Sequence, residues 1–68
     1  MKPMQITVNG EPRETEATTL GELVAELLLD PNKVAIECNL KIVPRSLHAA
    51  TPLADGDRLE IVQFVGGG

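Results

Sequence analysis

The stretch "TLGELVAELLLD", Thr19 to Asp30, decides how this chain must fold. Leu20, Leu23, Val24, Leu27 and Leu28 recur at helical spacing and give an amphipathic helix one apolar side. Thr19 is placed to cap the first turn, and Glu22 three residues later completes the pattern of a capping box. Asp30-Pro31 ends the helix, because proline disfavours helical geometry in the residue before it and has no amide hydrogen to continue the ladder. A chain of 68 residues has room for one small domain and no second core. The helix must therefore cover one face of a mixed sheet, since no other element is available to bury its stripe.

Working outward, the strands of that sheet can be placed on both sides of the helix. Upstream, "MQITV" (Met4 to Val8) alternates apolar and polar residues and runs into Asn9-Gly10, the strongest short-range signal for a type I′ hairpin. The returning strand is "EPRETE", where Pro12 calls for an edge position or a bulge. Downstream, "VAIEC" puts Val34, Ile36 and Cys38 on one face, and "KIVPR" follows a short turn at Asn39-Leu40. "SLHAATPLADGD" is irregular, with room for a single helical turn, and Asp55-Gly56-Asp57 turns the chain into a last strand, "RLEIVQFV".

Composition bounds the function. The chain is 43% hydrophobic and 24% charged, with a net charge of -4 from ten acidic and six scattered basic residues. It carries neither the basic patch nor the aromatic platforms that nucleic-acid binding requires, its single aromatic being Phe64. One cysteine, Cys38, excludes an internal disulfide framework and a multi-cysteine metal site, and makes the cytoplasm the default compartment. "MKPMQITVNG" has no apolar core of a signal peptide, and no apolar run approaches a membrane span.

Together, the strand and helix order, "IVPRS" (Ile42 to Ser46), "DGDRLEIV" (Asp55 to Val62) and the terminal "VGGG" resemble the bacterial sulfur carrier family ThiS of thiamine biosynthesis. The resemblance covers essentially the whole chain. It implies an α+β fold, a ubiquitin-like β-grasp with a mixed sheet of four to five strands packed on one main helix. The β-grasp domain is expected over residues 1–65, with a flexible glycine tail over 66–68. Leu47 and His48 stand where the family commonly has an aromatic residue, and Asn39-Leu40 where it often has Asn-Gly.

The tail has a chemical reading. A carboxylate reacts poorly with nucleophiles, so accepting sulfur requires converting one oxygen into a leaving group such as AMP. The sequence has no phosphate-cradling Gly-rich loop leading into a helix, so ATP must be handled by a partner, and no cofactor is expected on this chain. Glycines pass through a narrow channel without side-chain clash. The resemblance implies that Gly68 is adenylated by a ThiF-type enzyme while Gly66 and Gly67 thread its active site. It implies further that a sulfur donor such as a cysteine desulfurase makes the thiocarboxylate, which then gives up its sulfur at a ThiG-type thiazole synthase. The chain would then be a protein co-substrate rather than an enzyme.

Alternation in the last strand sets Leu59 and Ile61 against Arg58, Glu60, Val62 and Phe64. If the first pair faces the helix, Val62 and Phe64, with Val65, form a partner-docking surface beside the tail; a bulge would instead turn Phe64 into the core. Cys38 reads as a small core residue, His48 as a residue without metal or general-base partners, Arg45 as a solvated arginine, and Asp55 and Asp57 as turn formers bonding their own backbone. Three other readings stay open: a sulfur carrier for a molybdopterin or amino-acid pathway, a ubiquitin-like modifier forming isopeptides, and an interaction module whose glycines are inert.

Overall fold

The computed structural model describes residues 3–65, so the flexibility expected of 66–68 lies outside the described residues. The elements are β1 (Met4–Val8), β2 (Glu11–Thr15), α1 (Leu20–Glu26), β3 (Val34–Cys38), β4 (Lys41–Val43) and β5 (Arg58–Gln63), with 3-10 turns at Pro31–Lys33 and Arg45–Leu47. The five strands form one sheet in the order β2-β1-β5-β3-β4. β5, last in the chain, lies in the middle, parallel to β1 and antiparallel to β3. Pro12 sits in β2, an edge strand, where a missing amide hydrogen is tolerated.

The expected alternations hold. Ile6, Val34, Ile36, Leu59 and Ile61 are buried on the face that meets Leu20, Leu23 and Val24 of α1, with Leu53 from the irregular segment completing the core. Leu20, Leu23, Ile36 and Leu59 are among the most completely buried side chains. Each is worth roughly 1.5–3 kcal/mol relative to exposure. Gly21 lets the start of α1 approach the segment after β4: a Cβ there would come within 3.1 Å of the Ala49 Cα, and its N–H donates to the His48 carbonyl at 2.9 Å.

The helix is shorter than its apolar pattern predicts. Thr19 caps it as expected, its hydroxyl oxygen accepting from the Glu22 N–H at 3.1 Å. The Glu22 carboxylate reaches one residue further back than a capping box requires, taking the Thr18 N–H at 2.7 Å and the Thr18 hydroxyl at 2.8 Å. At the other end Leu28 adopts φ 62, and α1 closes at Leu27 rather than at Asp30. Leu28 N–H donates to the Ala25 carbonyl and Leu29 N–H to the Val24 carbonyl, both at 3.1 Å. That pair of bonds is a Schellman motif with leucine in the position usually held by glycine. Leu28, expected on the apolar stripe, is consequently 91% exposed, while Leu27 and Leu29 pack against the core.

One other residue sits differently from its sequence reading. The Asp55 carboxylate accepts from the Gln5 N–H at 2.7 Å, tying the last turn to β1 rather than to its own backbone. Asp57 does serve its own turn, accepting from Ala54 N–H at 2.8 Å. His48 is buried, with its Nε2 2.9 Å from the Val43 carbonyl, and so anchors the irregular segment to the end of β4.

Candidate functional site

β5 carries the candidate site, because it is the strand that leads into the glycines. Its inward residues Leu59 and Ile61 are held by the core, which forces Arg58, Glu60 and Val62 outward. The ladder to β3 is regular through Val34 opposite Gln63, and Phe64 N–H continues it by donating to the Lys33 carbonyl at 2.7 Å. No bulge intervenes, so Phe64 stays on the outer side. Val62 is 58% exposed, Phe64 50% and Val65 96%.

Neighbouring strands extend this apolar surface. Ala35 of β3 lies opposite Val62, and Ile42 of β4, opposite Glu37, is exposed on the same outer face. Glu37 faces Glu60 across the β3–β5 ladder, a like-charge pair that lends the patch an acidic margin. A groove of about 320 Å³ opens between Thr7, Leu40, Arg58 and Glu60, but it lies at the start of β5, the far end of the strand from Val65. It is remote from the chemistry expected of the tail. Gly66, Gly67 and Gly68 themselves lie outside the described residues.

Two asparagines hold β5 in place, and sequence reasoning read both only as turn residues. Asn9 and Gly10 have φ 51 and 83, and Asn39 and Leu40 have φ 52 and 72, so both hairpins carry two consecutive left-handed residues. The Asn9 carboxamide accepts from the Ile61 N–H at 2.7 Å and donates to the Ile61 carbonyl at 3.0 Å. Asn39 does the equivalent from the other flank, accepting from Arg58 N–H at 3.0 Å and donating to the Asp57 carboxylate at 2.9 Å. No local pattern announces bonds that span 52 and 19 residues.

The remaining candidates have limited chemistry. Cys38 packs partly buried against the core, and burial, with the Asp57 carboxylate adding to it, pushes its thiol pKa up, away from the reactive thiolate. Arg45 is exposed. Among the described residues no group of three or more His, Cys, Asp or Glu is placed to hold a metal ion, and no helix is long and apolar enough to cross a membrane.

Comparison with known proteins places this geometry in a lineage. The profile of the ThiS family matches residues 6–68. Over 66 residues the chain is 50% identical to a thiazole synthase of Paramagnetospirillum magneticum, covering 96% of this chain and 20% of that protein. The chain thus spans about a fifth of that relative's length. It is 35% identical over 63 residues to the sulfur carrier protein ThiS of Thermus thermophilus, covering 93% of this chain and 98% of that one. The crystal structure of the thiamine biosynthesis protein ThiS from Geobacter metallireducens matches with a TM-score of 0.79 at 33% identity, over 96% of this chain and 100% of that chain. The fold is the ubiquitin-like β-grasp, with five strands and one helix.

Proposed function

The chain belongs to the ThiS family of sulfur carriers in thiamine biosynthesis, and on that premise we propose that it carries sulfur as a thiocarboxylate on Gly68. In this reading the Gly68 carboxylate attacks the α-phosphate of ATP in the active site of a ThiF-type enzyme and pyrophosphate leaves. A persulfide sulfur donor charged by a cysteine desulfurase then displaces AMP to give an acyl disulfide, and a thiol reductant cleaves its S–S bond, releasing the donor as its thiol. The resulting thiocarboxylate delivers its sulfur to a thiazole synthase. The chain itself supplies position rather than catalysis: it acts as a co-substrate in the cytoplasm, and ATP is bound by the activating partner.

The observation that supports this best is the placement of β5. The strand is clamped in the centre of the sheet, has Val62 and the following Phe64 exposed on the uncovered face, and closely precedes Gly66, Gly67 and Gly68 in the sequence. An exposed apolar patch next to a reactive end lets a partner grip the domain while the end enters its active site. The relative in which this domain and a thiazole synthase form one polypeptide supports the synthase as one such partner.

The test is the intact mass of the chain ending at Gly68 after incubation with ATP, a sulfur donor and a ThiF-type enzyme, beside a chain lacking Gly68. A molybdopterin-pathway activating enzyme is run in parallel. The expected result is a mass gain matching one oxygen-to-sulfur exchange, seen only with Gly68 present and only with the first enzyme. Exchange with the second enzyme alone moves the chain to the rival pathway. A stable amide conjugate identifies a protein modifier, and no product with either enzyme, given a working control carrier, leaves an interaction module.

A further inference from the structure

β5 is a central strand, yet only one of its flanks is covered to its end. Toward β3 the ladder runs through Gln63 and is continued by Phe64. Toward β1 the register stops at Val8 opposite Leu59, because the chain turns back at Asn9-Gly10. The bonds fix which residues face which flank. Thr7 N–H donates to the Asp57 carbonyl and Asn9 N–H to the Leu59 carbonyl, so odd-numbered residues of the strand face β1. Asn39 N–H donates to the Arg58 carbonyl and Phe64 N–H to that of Lys33, so even-numbered residues face β3. Ile61, the next odd residue, is met by the Asn9 carboxamide in place of a strand. Gln63 follows, and its N–H and C=O point to a flank where no strand lies. Among the described residues neither group has a hydrogen-bond partner on that side. Continued extension past Phe64 would bring the Val65 N–H to the same flank.

Open strand edges are usually guarded by charge, proline or a covering loop. Among the described residues this one has none of these: the residues along it are Val62, Gln63, Phe64 and Val65, all exposed and uncharged. We propose that the open flank of Gln63 and Val65 is a strand-addition site for an extended segment of the thiazole synthase. The inference rests on the carrier reading given above. Backbone donors and acceptors in a row along a strand are matched by another extended main chain. A stretch this short supplies only a few hydrogen bonds, so it acts together with the adjoining Val62 and Phe64 surface, with which it is continuous. The synthase is the occupant favoured by the relative that keeps both parts in one chain. The added segment would hold the backbone of Gln63 to Val65 in line with the entrance to the synthase, so that the residues following in sequence are presented to it.

The test is amide hydrogen exchange, residue by residue, on the isolated chain and on its complex with a thiazole synthase. In the isolated chain the Phe64 amide is expected to exchange slowly and the Gln63 amide rapidly, although the two are adjacent in sequence. In the complex Gln63 and Val65 slow by roughly tenfold or more. Replacing the Gln63 amide by an ester through semisynthesis weakens synthase binding by roughly three- to tenfold, the worth of one hydrogen bond, and lowers the thermal midpoint only by the weakening of the Val62 carbonyl as an acceptor from β3. The same replacement at Phe64 lowers the midpoint further, since it removes an N–H that is used within the fold. A synthase that binds and perturbs Val62 and Phe64 but leaves Gln63 exchange and the ester variant's affinity unchanged overturns the proposal. Protection of Gln63 that grows with concentration of the isolated chain names a second copy as the occupant and overturns it too. Failure to bind any thiazole synthase removes the carrier reading itself.

Discussion

Leu28 and Leu40 occupy left-handed backbone, at φ 62 and 72, and each is 91% exposed. A leucine in this region costs roughly 1–2 kcal/mol, against a glycine entropy penalty of about 0.5–1 kcal/mol, and neither side chain gains burial in return. Leu28→Gly and Leu40→Gly are each expected to stabilise the fold by about 0.5–1 kcal/mol, read as a rise of a few degrees in the thermal midpoint. A fall would show that the leucine makes contacts absent from this structure. Glu22 is a residue-scale matter of a different kind. Hydrogen bonds from the Thr18 N–H and hydroxyl hold its carboxyl below the ordinary glutamate range. Because the folded value is the lower one, the group's contribution is complete above the unfolded pKa and is lost as pH falls through the folded pKa. Glu22→Gln should therefore flatten part of the acid limb of a stability-against-pH curve, measured by urea denaturation at several pH values. An acid limb identical to that of the parent would contradict the assignment.

At the scale of elements, β5 is the strand on which everything depends and the one with the least backbone support on one side. Its parallel register with β1 covers only Arg58 and Leu59, and the Asn9 carboxamide lengthens it to Ile61. Asn9→Gly keeps the left-handed turn but removes both side-chain bonds, leaving the Ile61 N–H and C=O without partners. The expected loss is about 1–3 kcal/mol in urea denaturation, with the change concentrated in faster exchange of the Ile61 amide. A loss no larger than that of a surface substitution would mean that water replaces the carboxamide at no cost. The helix illustrates the same interplay. Its start was legible from Thr19 and its apolar positions, whereas its end depended on Leu28 taking a conformation that residue type disfavours, so the stripe ran past the true terminus.

For the whole molecule, the decisive feature is a sheet with one face buried under α1 and the other left open at Val62, Phe64 and Ile42. Phe64→Asp is expected to keep the urea midpoint within about 0.5 kcal/mol of the parent, since the ring is half exposed, while weakening thiazole synthase binding at least roughly tenfold. Unfolding of that variant would return Phe64 to the core, and unchanged affinity would move the docking surface elsewhere. Much of this architecture is legible in the sequence. Period-two alternation in "MQITV", "VAIEC" and "RLEIV" and the helical period after Thr19 are local consequences of side-chain geometry, and a chain of this length has one way to bury both. Residues that act across the chain were not readable. Asn9 on Ile61, Asp55 on Gln5 N–H and His48 beneath the end of β4 are polar groups whose partners are chosen by which strands come to lie side by side. The sequence by itself determined the order of the elements and the inward faces of the strands, because these follow from periodicity and burial, while the side on which Phe64 stands waited on the unbulged ladder to β3. Only the tertiary structure decided how far the helix runs, which asparagines clamp β5 and which flank of Gln63 is left open, because backbone hydrogen bonds are satisfied by neighbours in space rather than in sequence.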